Sequence, residues 1–105
     1  MIQVTQEVRS GWQVLSVTGR ADGECADALE AALKSAVETN PKVAADFSAL
    51  DYISSAGLRA VLQAARAAEG RQTEFAVCSL SPPVKKVFDM SGLHHALRIH
   101  GELPC

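Results

Sequence analysis

The chain has 105 residues, enough for one packed core and too few for two, so a single domain over residues 1–105 is expected. Hydrophobic residues make up 48% and charged residues 21%, as in folded globular proteins, which excludes an extensively disordered chain. The formal net charge is -2 and Lys and Arg are interspersed with acids, so no basic field exists for a phosphodiester backbone and nucleic acid is not an expected partner.

No stretch approaches the roughly 20 apolar residues that span a bilayer, so direct membrane insertion is not expected. The opening Met1-Ile2-Gln3-Val4-Thr5 has neither the basic region nor the apolar run of a signal peptide, which predicts a cytoplasmic protein. Cys25, Cys78 and Cys105 are odd in number and far apart, which argues against a disulfide framework or a zinc site. They read as reduced thiols, two buried and one on the tail, and no cofactor is implied.

Residues 2–18 read as a β-hairpin: Val4, Gln6 and Val8 are spaced by two, and Trp12 to Val17 is rich in strand formers beyond Ser10-Gly11. Gly19 to Gly23 breaks this pattern. Cys25, Leu29, Ala32, Leu33 and Ala36 then recur at helical spacing, and Asn40-Pro41 ends that helix. Val43 to Phe47 is short and mostly apolar, suiting a strand buried on both faces, with Asp46 as its anomaly. After Ser48 to Tyr52, the positions Leu58, Val61, Leu62 and Ala65 mark a second helix running to Glu69-Gly70, with Ser54 or Ser55 as its N-cap. Thr73 to Cys78 resembles another strand, and Ser81-Pro82-Pro83 opens a third helix through Val84, Val87 and Phe88 that Gly92 stops. Ala96 to Ile99 can form a last strand, leaving Gly101 to Cys105 as a tail. The order β-β-α-β-α-β-α-β predicts an α/β fold, a mixed sheet with an N-terminal hairpin and crossover helices packed on it.

Several residues carry two readings. Gly57 either lets a partner approach closely or is a helix-start residue with no special need for room. Asp46 either orients Ser55 from a strand end or caps local N–H groups in a turn, and Asp22 has the same two readings. Arg59 points outward beside Ser55, toward a partner, a phosphate or solvent alone. Leu58, Val61 and Leu62 read as core, Lys85-Lys86 as an exposed face, and Met90 and Leu93 as core closure or an exposed apolar edge. An enzyme using Ser55 as nucleophile would need a base, and His94, His95 and His100 match no triad or metal spacing, so a hydrolase is the remote alternative.

The stretch from Asp46 through Asp51-Tyr52-Ile53-Ser54-Ser55-Ala56-Gly57-Leu58 resembles the signature of STAS domains, the bacterial anti-sigma factor antagonists. Ser81 to Leu93, with Phe88-Asp89-Met90-Ser91-Gly92, resembles the C-terminal pattern of the same family, and the hairpin followed by Gly19 and Asp22 resembles its beginning. The resemblance covers almost the whole chain. It implies a protein that is not an enzyme but binds an anti-sigma factor with serine kinase activity, frees the sigma factor, and is switched off by phosphorylation of the helix-start serine. That serine is Ser55 by position, with Ser54 as the alternative acceptor. A serine phosphatase would reset the cycle, and Asp22, Asp46, Ser54, Ser55, Ala56, Gly57 and Arg59 would form the partner-binding region. The sequence departs from the pattern where Ser54 replaces Asp, where Ala56 replaces a second hydroxyl, and where Arg20 replaces Glu. The first two departures favour a second possibility, a STAS-like accessory subunit that binds the cytoplasmic ATPase of a membrane transporter.

Overall fold

Ser10 and Gly11 both adopt positive φ, 49° and 87°, the type I′ geometry whose twist matches that of two antiparallel strands. They join β1 (Ile2–Arg9) to β2 (Trp12–Ala21), which pair without a break from Ile2↔Gly19 to Arg9↔Trp12. The computed structural model describes residues 2–92 and the two-residue strand at 99–100. The remaining elements in chain order are α1 (Ala26–Thr39), β3 (Lys42–Asp46), β4 (Leu50–Ile53), α2 (Ser55–Arg71), β5 (Glu74–Cys78), α3 (Pro82–Ser91) and β6 (Ile99–His100). Ala96 to Arg98, Leu93, His94, His95 and the tail with Cys105 lie outside the described residues. Among the described residues no helix is long and apolar enough to cross a membrane.

The sheet runs β1-β2-β3-β5-β6, antiparallel at the hairpin and parallel beyond it, so the expected mixed sheet is present. One strand escapes the sequence pattern. β4 lies beside β2 further along the same side as β3, through Gly19↔Leu50, Arg20↔Tyr52 and Ala21↔Ile53. Its sequence, Leu-Asp-Tyr-Ile, buries only the two ends, so no alternation announces it. β3 and β4 are in effect one strand interrupted at Asp46, whose carboxylate accepts the Ser48 backbone N–H at 2.9 Å and turns the chain out of the sheet.

Leu15, Val17, Val43, Ala45, Phe75 and Val77 face the helices, which contribute Leu29 and Leu33 from α1, Val61 and Ala64 from α2, and Val84 and Phe88 from α3 to one continuous core. The intervening residues Trp12, Val14, Ala44, Ala76 and Cys78 form a smaller cluster on the opposite face. Cys78 is buried as expected, whereas Cys25 is only half-buried and precedes α1 instead of lying within it. Met90 is 79% exposed, which corrects the core-closure reading of that residue. Leu62, expected in the core, is half-buried on the outward side of α2.

Helix ends are secured by polar side chains. Asn40 donates to the Ala36 carbonyl, while Thr73 donates to that of Val37 and Arg71 to that of Glu38, tying the end of α1 to the end of α2 and the residues after it. α2 stops at a left-handed Gln72, φ 59°, rather than at Gly70. Gly92 ends α3 at φ 77°, as its type suggests. The Ser81 hydroxyl, instead of capping α3, donates to the Leu50 carbonyl at 2.5 Å and pins the helix to β4. Phe47 and Phe88 meet there, fully buried, with ring centroids 6.4 Å apart. Phe47→Ala is expected to cost about 3–5 kcal/mol, measured by urea unfolding, since it opens a cavity where the interrupted strand, α3 and the core converge.

Candidate functional site

The position of the helix-start serines follows from the pairing of β4. Ile53 remains in register with Ala21, and the Ser54 N–H donates to the Ala21 carbonyl at 2.8 Å, so the chain is still tied to the sheet at Ser54. Ser54 is extended (φ -87°, ψ 172°) and is the first residue from which the chain can wind. Its hydroxyl accepts the Gly57 N–H at 3.1 Å and its carbonyl accepts the Leu58 N–H at 2.9 Å, which makes Ser54 the N-cap. α2 therefore begins three residues before the apolar periodicity that starts at Leu58. Ser55 is the first helical residue, exposed, and free of capping duty.

Gly57 is buried, and the space in front of it is filled by its own chain. A Cβ there would lie 2.8 Å from Ile53 Cγ1 and 3.0 Å from the Ala21 carbonyl oxygen. Both readings from sequence are corrected: room is needed, but for the close approach of α2 to β2 and not for a partner. The half-buried Ala56 sits between this contact and the exposed side of the helix.

Ser55, Arg59 and Leu62 recur at intervals of four and three, placing them along one outward face of α2. No acidic residue lies in the first turn, so the partial positive charge of the helix start is not offset there. In the paired strands below it, one residue before Ala21 and Ile53, Arg20 stacks its guanidinium 4.5 Å from the ring centroid of Tyr52, which is 38% exposed. Sequence reasoning passed over Leu62 as surface and over this pair. An aromatic two residues before Ser54 was the available signal, but the strand that pairs it with Arg20 was not visible.

Asp46 and Asp22 separate. Asp46 pairs with Ser16, five residues along β2 from Ala21, which is roughly 16 Å of strand. It also lies on the sheet face opposite the helices, in register with Cys78 of the smaller cluster, so it does not orient Ser55. Asp22 immediately follows Ala21 and so stays near the start of α2. Its carboxylate accepts the Glu24 and Cys25 N–H groups at 3.1 and 3.2 Å, forming the turn that leads into α1. The Cys25 thiol, the largest influence, acts with smaller ones that include those backbone N–H groups to hold the Asp22 carboxyl below its ordinary value of 3.8. Among the described residues no group of three or more His, Cys, Asp and Glu side chains is arranged to hold a metal ion.

A family model described as Mlab, STAS domain, matches residues 4–100. BtrV of Bordetella bronchiseptica, described provisionally as an anti-sigma factor antagonist, is 37% identical over 92 residues, covering 87% of this chain and 79% of BtrV. The anti-sigma-F factor antagonist RsfB of Mycobacterium tuberculosis is 31% identical over 103 residues, covering 97% of this chain and 84% of RsfB. Among solved structures, the crystal structure of an anti-sigma factor antagonist from Mycobacterium paratuberculosis superposes with a TM-score of 0.87 at 28% identity, covering 98% of this chain and 88% of that one.

The capping assignment separates two neighbouring hydroxyls. Ser54→Ala is expected to lose about 1 kcal/mol in chemical denaturation, and Ser55→Ala to stay within about 0.5 kcal/mol of the parent. For Asp22, whose carboxyl is depressed on folding, the stabilising contribution is full above 3.8 and is lost as pH falls through the lowered folded value. The melting-temperature advantage of the parent over Asp22→Asn should accordingly shrink on acidification and never grow.

Proposed function

The chain belongs to the STAS domain family, and on that footing we propose that it is an anti-sigma factor antagonist whose docking face is switched by phosphorylation of Ser55. The partner is an anti-sigma factor with serine kinase activity. In its unmodified state the chain binds that partner and releases the sigma factor, and a serine phosphatase restores this state after modification. The chain is thus ligand and substrate, not catalyst. The observation that carries this reading is the division of labour at the helix start: Ser54 holds the first turn, while Ser55 presents an exposed hydroxyl on the same face as Arg59 and Leu62.

The energetics favour a switch of binding over a switch of folding. A phosphoryl group adds about -1.5 to -2 charges at neutral pH. At a helix start lacking acidic neighbours this charge is favourable by roughly 0.3–1 kcal/mol, so the modified domain stays folded. Against a partner surface shaped for a neutral hydroxyl, a like charge or an unpaired buried charge costs several kcal/mol. With each 1.4 kcal/mol equal to about tenfold in affinity, the interface effect outweighs the helix effect by orders of magnitude. Arg59 and Leu62 supply the polar and apolar contacts of the docking face, Ala56 its half-buried flank, and Asp22 a neighbouring carboxylate.

A pull-down from the native cell extract, with partners identified by mass spectrometry, tests the partner class. Recovery of a kinase-like anti-sigma factor is expected, and recovery of a transporter ATPase instead would overturn the reading in favour of the accessory-subunit alternative. With that partner in hand, Ser55→Ala is expected to retain binding and Ser55→Asp to lose it with little change in melting temperature. Equal binding by the two variants, or phosphate found on Ser54 after incubation with kinase and ATP, would remove the role given to Ser55.

A further inference from the structure

The hairpin leaves an unusual edge. Among the described residues β1 is the outermost strand of the sheet, eight residues long, and pairs with β2 without a bulge from end to end. It carries no proline and no lysine, two of the usual devices that blunt a free edge against other strands. Residues Thr5 through Arg9 are all exposed, and Val8, on the side of the sheet that elsewhere carries the core, is 71% exposed. Because the type I′ turn at Ser10-Gly11 closes on a hydrogen-bonded Arg9–Trp12 pair, alternate residues point their peptide groups the other way. The N–H and C=O of Val8 are therefore directed outward from the sheet edge.

Charge is arranged around that residue. Glu7 and Arg9 flank Val8 by one position on either side, share the opposite face of the strand, and form an ion pair at 2.7 Å with both side chains about half exposed. In an antiparallel pairing of two copies about a two-fold axis at Val8, Glu7 faces Arg9 of the second copy and Arg9 faces its Glu7. The four charges then alternate in sign around a square, each acid beside two bases, while Val8 covers Val8 on the other face. No like charges oppose one another in this register.

We propose that the β1 edge is a homotypic docking surface, taken by β1 of a second copy of this chain in antiparallel register centred on Val8. The contact is short, spanning the residues around Val8, and belongs to the class of weak, concentration-dependent associations. It lies at the far end of the hairpin from Ala21 and the start of α2, so pairing leaves Ser55 exposed and is independent of the switch proposed for it.

Sedimentation velocity of the intact chain up to millimolar concentration tests this. The parent is expected to dimerise, with added salt weakening the association. Glu7→Arg and Arg9→Glu should each weaken it by about tenfold or more, and the double variant Glu7→Arg/Arg9→Glu, which restores opposite charges across the axis, should recover it. Val8→Pro should abolish it while the melting temperature stays near that of the parent, because the Val8 N–H serves no bond within the hairpin. A parent that remains monomeric at millimolar concentration, or a double variant no stronger than the single ones, would overturn the proposal.

Discussion

The contact on which the site depends is that between the end of β2 and the start of α2. The Ala21 carbonyl accepts the Ser54 N–H, and the same carbonyl lies 3.0 Å from where a Gly57 side chain would begin. Backbone thus meets backbone through a hydrogen bond on one side and through a missing Cβ on the other. These two features fix where the strand ends and the helix begins. They determine which of two chemically identical, adjacent side chains is consumed in capping and which is displayed.

Rigid elements surround this junction. Ile53 is buried in register with Ala21, Leu58 and Val61 anchor the first turns of α2 in the core, and Ser81 ties α3 back to the carbonyl of Leu50 at the other end of β4. The displayed residue therefore sits on a framework with little freedom to absorb a change by moving. Under the proposed switch, a new charge at Ser55 is read by whatever docks there and not by the fold, because the helix start accommodates an anion.

Much of this was legible in the residue pattern and some was not, for identifiable reasons. The hairpin and the three helices carry periodic apolar positions, and the strands at Lys42–Asp46 and Glu74–Cys78 are short apolar runs buried on both faces and bounded by turn residues, so pattern and turn residues reveal them. β4 was invisible because its two middle residues, Asp51 and Tyr52, are both exposed, leaving a strand defined by its neighbour alone. That omission propagated. Without β4 in register against β2, neither the choice between Ser54 and Ser55 as cap, nor the reason for Gly57, nor the stacking of Arg20 on Tyr52 could be deduced. Of the two readings of Asp46 the turn cap holds, and the other fails for a related cause: adjacency in sequence to the serine motif suggested adjacency in space, whereas the excursion from Phe47 to Ala49 separates β3 from β4 and leaves Asp46 on the other face of the sheet.

The engagement of the Ser54 hydroxyl with the Gly57 amide also bears on the fidelity of any enzyme that modifies this segment. In an extended peptide the two serines offer equivalent nucleophiles one residue apart, and discrimination would have to come from the enzyme's own reading of flanking side chains. In the folded domain the Ser54 oxygen already accepts the Gly57 amide while the exposed Ser55 oxygen does not cap the helix, so under the proposed switch the fold itself would favour Ser55 as acceptor. Site selection is in that sense encoded by the substrate, and conditions that fray the start of α2 would be expected to scramble it.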